Sequence, residues 1–304
     1  MRQVLTAIAD ELKRLKAEGV NAVTVTPEAM AGLQRVVRAR AADRPSGPAE
    51  AKPAEPAPAP VGPPQSADRP PAPATPAASK LPPPPQVLLP DGDKQHRWDA
   101  LLAMVRNDGV CRAQLRPGKQ VVLGVGNLDA RIMFVGEAPG AEEEVQGEPF
   151  VGPAGQLLTR MIVAMGLTRE EVYIGNIMNW RPQMPVNADG VQFGNRPPSP
   201  EEMAYCLPYL RAQIEIVNPA LIVALGATAA HGLLGPGTFK ALGEVRGEWR
   251  DFAGRPLMIT YHPSYILRNQ SNRSKRMIWE DLLKVMERAE LPVSDKQRGF
   301  FLGR

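Results

Sequence analysis

Aromatic residues are missing from the first third of this 304-residue chain. Its four Trp, five Tyr and seven Phe all lie at or beyond Trp98. The same stretch holds seventeen of the 33 prolines between Pro45 and Pro90, set among Ala, Gly and short polar residues. A segment so composed lacks the apolar surface to offset its conformational entropy, which excludes a second large domain there. Cysteine is nearly absent too: two residues exclude a disulfide scaffold, allow one bridge at most, and fit a reducing, cytoplasmic setting. No run approaches the roughly 20 apolar residues of a membrane-spanning helix. The opening MRQVLTAIADELKRLK, broken by Asp10 and Glu11, reads as neither a signal peptide nor an anchor. A net charge of +4 permits an anionic partner such as nucleic acid without requiring one.

What remains divides into four parts. Residues 1–42 read as a helical arm: Val4, Leu5, Ile8, Leu12 and Leu15 share one helical face, and a second helix starts at Thr26-Pro27-Glu28 and runs toward Arg40. Residues 43–92 read as a disordered, semi-rigid Pro/Ala-rich linker. One globular domain is expected over 93–292, followed by a tail at 293–304.

Within the domain, strand and helix patterns alternate. Ile132–Gly136, Val172–Met178, Ala220–Gly226 and Pro256–His262 are short continuous apolar runs, the pattern of strands buried on both faces. Helices are expected from Pro153 to Met165, from a Ser199-Pro200-Glu201-Glu202 capping sequence to about Asn218, over Ala227–Leu234 and over Arg273–Arg288. The fold class is therefore α/β, a three-layer α/β/α arrangement around a central four-stranded parallel sheet. Ligands of open α/β sheets sit beyond the carboxyl ends of the strands. Those ends carry Glu137 with Ala138, Pro139 and Gly140, then Asn176, then Gly226, then His262-Pro263-Ser264. A carboxylate, an amide and an imidazole converging there suit water activation, recognition of a polar edge and stabilisation of a leaving anion. Taken singly, Glu137 reads as a solvated loop acid and His262 as a structural strand-end residue; the pairing across one sheet edge favours catalysis.

Two blocks, GEAPGAEEEVQGEPFVGPAGQLL (136–158) and YHPSYILRN (261–269), resemble the motifs of the uracil-DNA glycosylase superfamily, and most of all its family 4. The resemblance covers roughly 110–290. It implies a monofunctional DNA N-glycosylase that removes uracil from DNA in base excision repair, flipping the nucleotide out of the stack. It places Glu137 as the acid that orients or activates water and His262 as the donor to the uracil O2. Ala138 and Gly140 would line the base site, Phe150 would stack on the base, and Asn176 would read its O4/N3 edge. Glu143 would crowd the base C5 and exclude thymine; the alternative is one more solvated acid in Glu142-Glu143-Glu144. Leu267 would wedge into the vacated gap. Ser264, Arg268, Arg273, Lys275 and Arg276 would contact the DNA, although an exposed basic helix start has the same appearance.

The chain also departs from that family, which typically holds a [4Fe–4S] cluster on four cysteines. Only Cys111 and Cys206 are present. Cys206 takes the fourth ligand position, Trp180 stands at the third, and Cys111 lies near the paired N-terminal ligands. No metal or cofactor is expected, with Trp180 filling vacated volume. The loop Met184–Arg196 is longer than the family's and has no His, so no covalent adduct with the abasic sugar is expected. The apolar Gln297–Leu302 tail vaguely resembles sliding-clamp docking peptides; packing on its own domain is the alternative. Uracil-containing DNA is the expected partner, with no membrane partner, for a monomer in a bacterial cytoplasm, nucleoid-associated. Competing readings are a uracil- or damaged-DNA-binding protein with weak turnover, and an enzyme for hypoxanthine or xanthine. A nucleotide-binding module rests only on Gly124-Val125-Gly126.

Overall fold

The computed structural model describes residues 81–187 and 190–302. The helical arm and the linker up to residue 80 lie outside the described residues. Six strands form one sheet: β1 (Val125–Gly126), β2 (Ile132–Gly136), β3 (Tyr173–Asn176), β4 (Leu221–Leu225), β5 (Trp249–Phe252) and β6 (Arg255–Thr260). Their order is β1-β3-β2-β4-β6-β5. The four apolar runs make the parallel centre, with Phe134 beside both Ile174 and Val223, and Ala224 beside Ile259. Two antiparallel edge strands widen the expected four-stranded sheet. Neither has an apolar run to betray it: β1 is two residues long and the middle of β5 is the exposed pair Arg250-Asp251.

Alternation along the strands supplies both faces with core. Met133, Val135, Ile222, Ala224, Leu257 and Ile259 belong to one cluster; Ile132, Phe134, Leu221, Val223, Leu225 and Met258 belong to the other. Each buried aliphatic side chain of this kind contributes about 1.5–3 kcal/mol. Nine helices surround the sheet among the described residues: α1 (Lys94–Asn107), α2 (Gly109–Ala113), α3 (Glu143–Gln146), α4 (Pro153–Ala164), α5 (Pro200–Val217), α6 (Ala227–Leu234), α7 (Pro263–Arg268), α8 (Asn272–Arg288) and α9 (Asp295–Arg298). The capping sequence before α5 acts as read: Ser199 Oγ accepts from Glu202 N–H at 3.2 Å and the Glu202 carboxylate accepts from Ser199 N–H at 2.7 Å. Helix α1 was not anticipated. Asp93 caps it by accepting from His96 N–H at 2.8 Å, and its narrow apolar face buries Leu101 and Val105.

The packed region exceeds the expected 93–292 at both ends. Leu81, Val87 and Leu89 lie against the first cluster, so the last part of the expected linker is packed. Val293 and Phe300 lie against the second. The C-terminal segment is seated on its own domain: Gln297 donates to Ala164 O (2.8 Å), Trp279 Nε1 donates to Gln297 O (2.6 Å), and Arg276 donates to Arg298 O (2.7 Å) and Phe300 O (2.9 Å). Among the described residues no helix is long and apolar enough to cross a membrane.

A buried polar triad fixes the end of β6, from which His262 emerges. Asp281, 1% exposed, accepts from Thr260 Oγ1 at 2.6 Å and from Arg246 at 2.7 and 3.2 Å. Arg246 also donates to Met277 O and lies over the Tyr261 ring. Burial pushes the Asp281 carboxyl up, while Thr260, Arg246 and Lys284 pull it down. Deleting one member leaves the others desolvated and unpaired, which costs about 3–5 kcal/mol for a buried pair. Asp281→Ala is therefore expected to lose about that much unfolding free energy in urea denaturation; a loss below about 1 kcal/mol, the level of a surface pair, would show that the triad does not hold β6.

Candidate active site

The carboxyl ends of β2, β3, β4 and β6 open into one cleft of about 540 Å³, lined by Glu137, Asn176, Gly226 and His262. The expected convergence is thus present in space. Two glycines make room for it. A Cβ on Gly136 would lie 2.4 Å from the Phe150 ring and 2.5 Å from Asn176 Oδ1, so only glycine lets both side chains occupy that corner. Gly226 sits at φ 96°, and a Cβ there would press within 3.1 Å of the His262 Cβ.

The two expected catalytic groups are shifted in opposite senses by one cause. Burial pushes the Glu137 carboxyl up, and a hydrogen bond from the Thr228 hydroxyl at the start of α6 opposes it. Its backbone is pinned by Met178 N–H, which donates to Glu137 O at 3.1 Å. Burial, helped by the Arg268 charge, pushes His262 down to about 4. The imidazole is therefore neutral at pH 7. Its Nδ1 accepts from Ser264 N–H at 3.2 Å and lies 2.9 Å from Ser264 Oγ. A ring nitrogen that accepts carries no proton, so the single N–H of this neutral ring belongs to Nε2. Asn176 is 5% exposed and its Oδ1 has no hydrogen-bond partner among the described residues. A buried acceptor without a partner costs free energy until a donor arrives.

The loop after β2 supplies the other walls. Glu143 is no freely solvated acid: its carboxylate accepts from Gly140 (3.0 Å), Val151 (3.2 Å) and Gly152 (3.1 Å) N–H groups. That clamp holds both ends of the motif loop. Glu144 is buried against Arg181 at 2.9 Å. Phe150 adopts φ 56°, uncommon for a bulky residue, and its ring centroid stands 5.6 Å from that of His262. Ala138, Gly140, Glu143, Phe150, Ser264 and Arg268 all line the cleft.

Leu267 lies outside the lining, 38% exposed on α7. Arg273 is exposed at the start of α8. Lys275 and Arg276 face elsewhere. Lys275 sits over the Phe301 ring in a separate apolar groove, and Arg276 is committed to Glu280 and the C-terminal segment. Neither side chain lines the cleft. Thr228, Asn195 and Arg196 were not anticipated at the site. Thr228 lay inside a plain helix pattern, and the other two belong to an irregular loop whose course no periodicity reveals.

A family model, the Uracil DNA glycosylase superfamily, matches residues 123–283. The chain belongs to that superfamily. It is 48% identical over 165 residues to the type-4 uracil-DNA glycosylase of Thermotoga maritima, covering 54% of this chain and 80% of that protein. It is 40% identical over 176 residues to the type-4 enzyme of Saccharolobus solfataricus, covering 56% and 76%. Similarity to the type-5 enzyme of Pyrobaculum aerophilum is lower, 31% over 184 residues, covering 54% and 73%.

The [4Fe–4S] cluster implied by family 4 does not fit the donors of this superfamily member. Four thiolates are the usual requirement and the whole chain has two cysteines. Burial pushes both thiols up, away from the ligating thiolate form. Trp180 is fully buried, its ring 6.2 Å from Tyr205. Hydrogen bonds join the same segments. Asp108 accepts from Tyr205 OH (2.8 Å), Tyr209 OH (3.0 Å) and Cys111 N–H (2.7 Å), linking the start of α2 to α5. Emptying the indole site leaves a large cavity, so Trp180→Ala is expected to cost about 3–5 kcal/mol. Chemical denaturation measures it, and a variant as stable as the parent would show that the indole holds nothing together.

Proposed function

We propose that the protein is a monofunctional uracil-DNA glycosylase. It hydrolyses the N-glycosidic bond of deoxyuridine in DNA, releases uracil and leaves an abasic site. The observation that carries this reading is one cleft lined by His262, whose Nδ1 accepts from Ser264 N–H, by the half-buried Glu137 and by Asn176, whose Oδ1 has no hydrogen-bond partner among the described residues. In the reaction the C1′–N1 bond breaks and the sugar becomes oxocarbenium-like. The electron pair departs with the base, and negative charge gathers on uracil O2. His262 Nε2–H donates to that oxygen without first losing a proton of its own. A neutral donor also spares the site an imidazolium that would itself need solvation. Glu137, ionised, steadies the cation and orients the water that adds to C1′; the proton this water gives up passes through the Glu137 carboxylate, and the uracil anion leaves to be protonated in turn. Asn176 Oδ1 accepts from uracil N3–H and its amide N–H donates to O4; cytosine, with no N3–H and an amino group at C4, leaves both unpaired. Phe150 stacks on the base, and Glu143, held by its three backbone donors, blocks a methyl group at C5. Leu267 fills the gap in the stack, while Arg268 and Arg273 meet phosphates.

We assign all of these steps to side chains and none to a cluster, since the donor set for one is incomplete. The protein acts as a monomer in the cytoplasm. Sliding-clamp docking by the tail would require Gln297 and Phe300 to exchange their intramolecular seats for the clamp's, and pull-down lost on deleting 296–304 is the test of that role.

Uracil release from a uracil-containing oligonucleotide, set against inosine- and xanthosine-containing ones, tests the function directly. His262→Ala is expected to lower the single-turnover rate about 10²–10³-fold, the size typical of losing one oxyanion donor, with DNA affinity retained. Equal release by the variant would remove His262 from the chemistry. The pH profile separates the two groups. Glu137 must be ionised, and burial raises its pKa, so the rate falls with acid starting above the range of an ordinary glutamate. Burial moves His262 the other way, down to about 4. Glu137→Gln is expected to flatten the limb as well as slow the reaction; an unchanged limb would assign it to another group.

A further inference from the structure

Phe150 holds a backbone conformation that its own side chain disfavours, and the fold fixes it from several directions. At φ 56° it occupies the left-handed region, where a bulky residue is strained. The N–H groups of the next two residues donate to Glu143. Its carbonyl rests against the first turn of α4: a Cβ on Gly155 would lie 1.8 Å from Phe150 O, so glycine is required there. One contact comes from outside the motif loop. Arg169 Nη2 donates to Pro149 O, the carbonyl just before Phe150, at 2.5 Å.

Arg169 opens the single 3-10 turn Arg169–Glu171 between α4 and β3. A capping box steadies that turn, with Thr168 N–H donating to the Glu171 carboxylate at 2.7 Å. The arginine is half-buried and does not line the cleft. Burial works against its charge, while Glu148, Glu170 and Glu143 favour it. Among the described residues the bond to Pro149 O is its one hydrogen bond, and Nη1 is buried with no partner. Withdrawing a cation from water for a single bond gains little net stability. What the bond does secure is a peptide plane. The φ of Phe150 is the rotation of the planar Pro149–Phe150 unit about N–Cα, and Pro149 O lies in that plane. With the far side of Phe150 held by Glu143 and Gly155, a return to negative φ swings the oxygen away from the guanidinium. A hydrogen bond to a charged group is of the same order as the strain of one left-handed residue, so the bond is strong enough to hold it.

Resting on the glycosylase reading, in which Phe150 stacks on uracil, we infer that Arg169 is a positioning residue for that stack. Through Pro149 O it holds Phe150 in its left-handed conformation and keeps the ring at the cleft, 5.6 Å from His262, before any nucleotide enters. A platform set in advance spares the flipped base the entropy of ordering it.

The test uses the full chain carrying Arg169→Met, which keeps an unbranched stem for packing but removes every donor, and Arg169→Lys, which returns the charge and a donor. Single-turnover uracil release is expected to fall about tenfold in Arg169→Met, the size of one base stack, and to recover in Arg169→Lys. In a Phe150→Ala background Arg169→Met is expected to change nothing further, because the residue it acts through is gone. Amide exchange at Val151 and Gly152 is expected to quicken about tenfold in Arg169→Met while β2 and β4 keep their rates. Full activity in Arg169→Met, a further loss on top of Phe150→Ala, or unchanged exchange at Val151 and Gly152 overturns the inference. So does equal quickening in β2 and β4, the mark of a merely structural role. Absence of uracil release by the unaltered protein would overturn the glycosylase reading instead, and the exchange comparison still decides whether Arg169 holds Phe150.

Discussion

Parallel strands share a direction, so four of them paired side by side must all end at one edge of the sheet. Everything in the cleft follows from that constraint. Residues as far apart in sequence as Glu137, Asn176, Gly226 and His262 become neighbours because β2, β3, β4 and β6 are held in register by their ladders. The faces of the same strands anchor the edge: alternate residues bury into the two core clusters, and a slip of one position would send every side chain to the wrong face. The apolar core therefore fixes the relative height of an acid and an imidazole that never touch in sequence.

Withdrawal from water is the second theme. Desolvation disfavours charge on either group, which raises a carboxylic acid and lowers an imidazole. The fold answers it locally, with the Thr228 hydroxyl for Glu137 and the Ser264 backbone N–H for the ring of His262. Among the described residues it gives the Asn176 oxygen no donor. A site that satisfies its own groups incompletely has kept capacity for a ligand's donors. The clamp of Glu143 on three backbone N–H groups works the other way, spending a full carboxylate to hold a loop's shape.

Much of this was legible in the amino-acid order, for identifiable reasons. The central strands showed as uninterrupted apolar runs, and α5 announced itself through Ser199 and Glu202, because burial on two faces and capping each leave a local signature. The residues at the strand ends followed from topology once the runs were in place. What escaped had no local signature. Helix α1 hides two buried residues, Leu101 and Val105, among charges; β5 carries Arg250 and Asp251; the course of 182–198 depends on Arg181 reaching back to Glu144 and forward to Gly194 and Asn195. The hydrogen bonds from Arg276 to Arg298 O and Phe300 O are likewise a long-range fact that the local sequence does not show.

The two strands that flank the parallel centre have a consequence of their own. An open sheet offers unpaired N–H and C=O groups at its margins, a template on which a further strand from another chain can grow. Here one margin is the two-residue β1, too short to seed a ladder, and the other is β5, whose exposed middle is an arginine followed by an aspartate. A newcomer would have to line up against that charged pair or find almost no backbone to grip. The margins are thereby guarded against runaway β-association, and the apolar strands between them stay sealed inside.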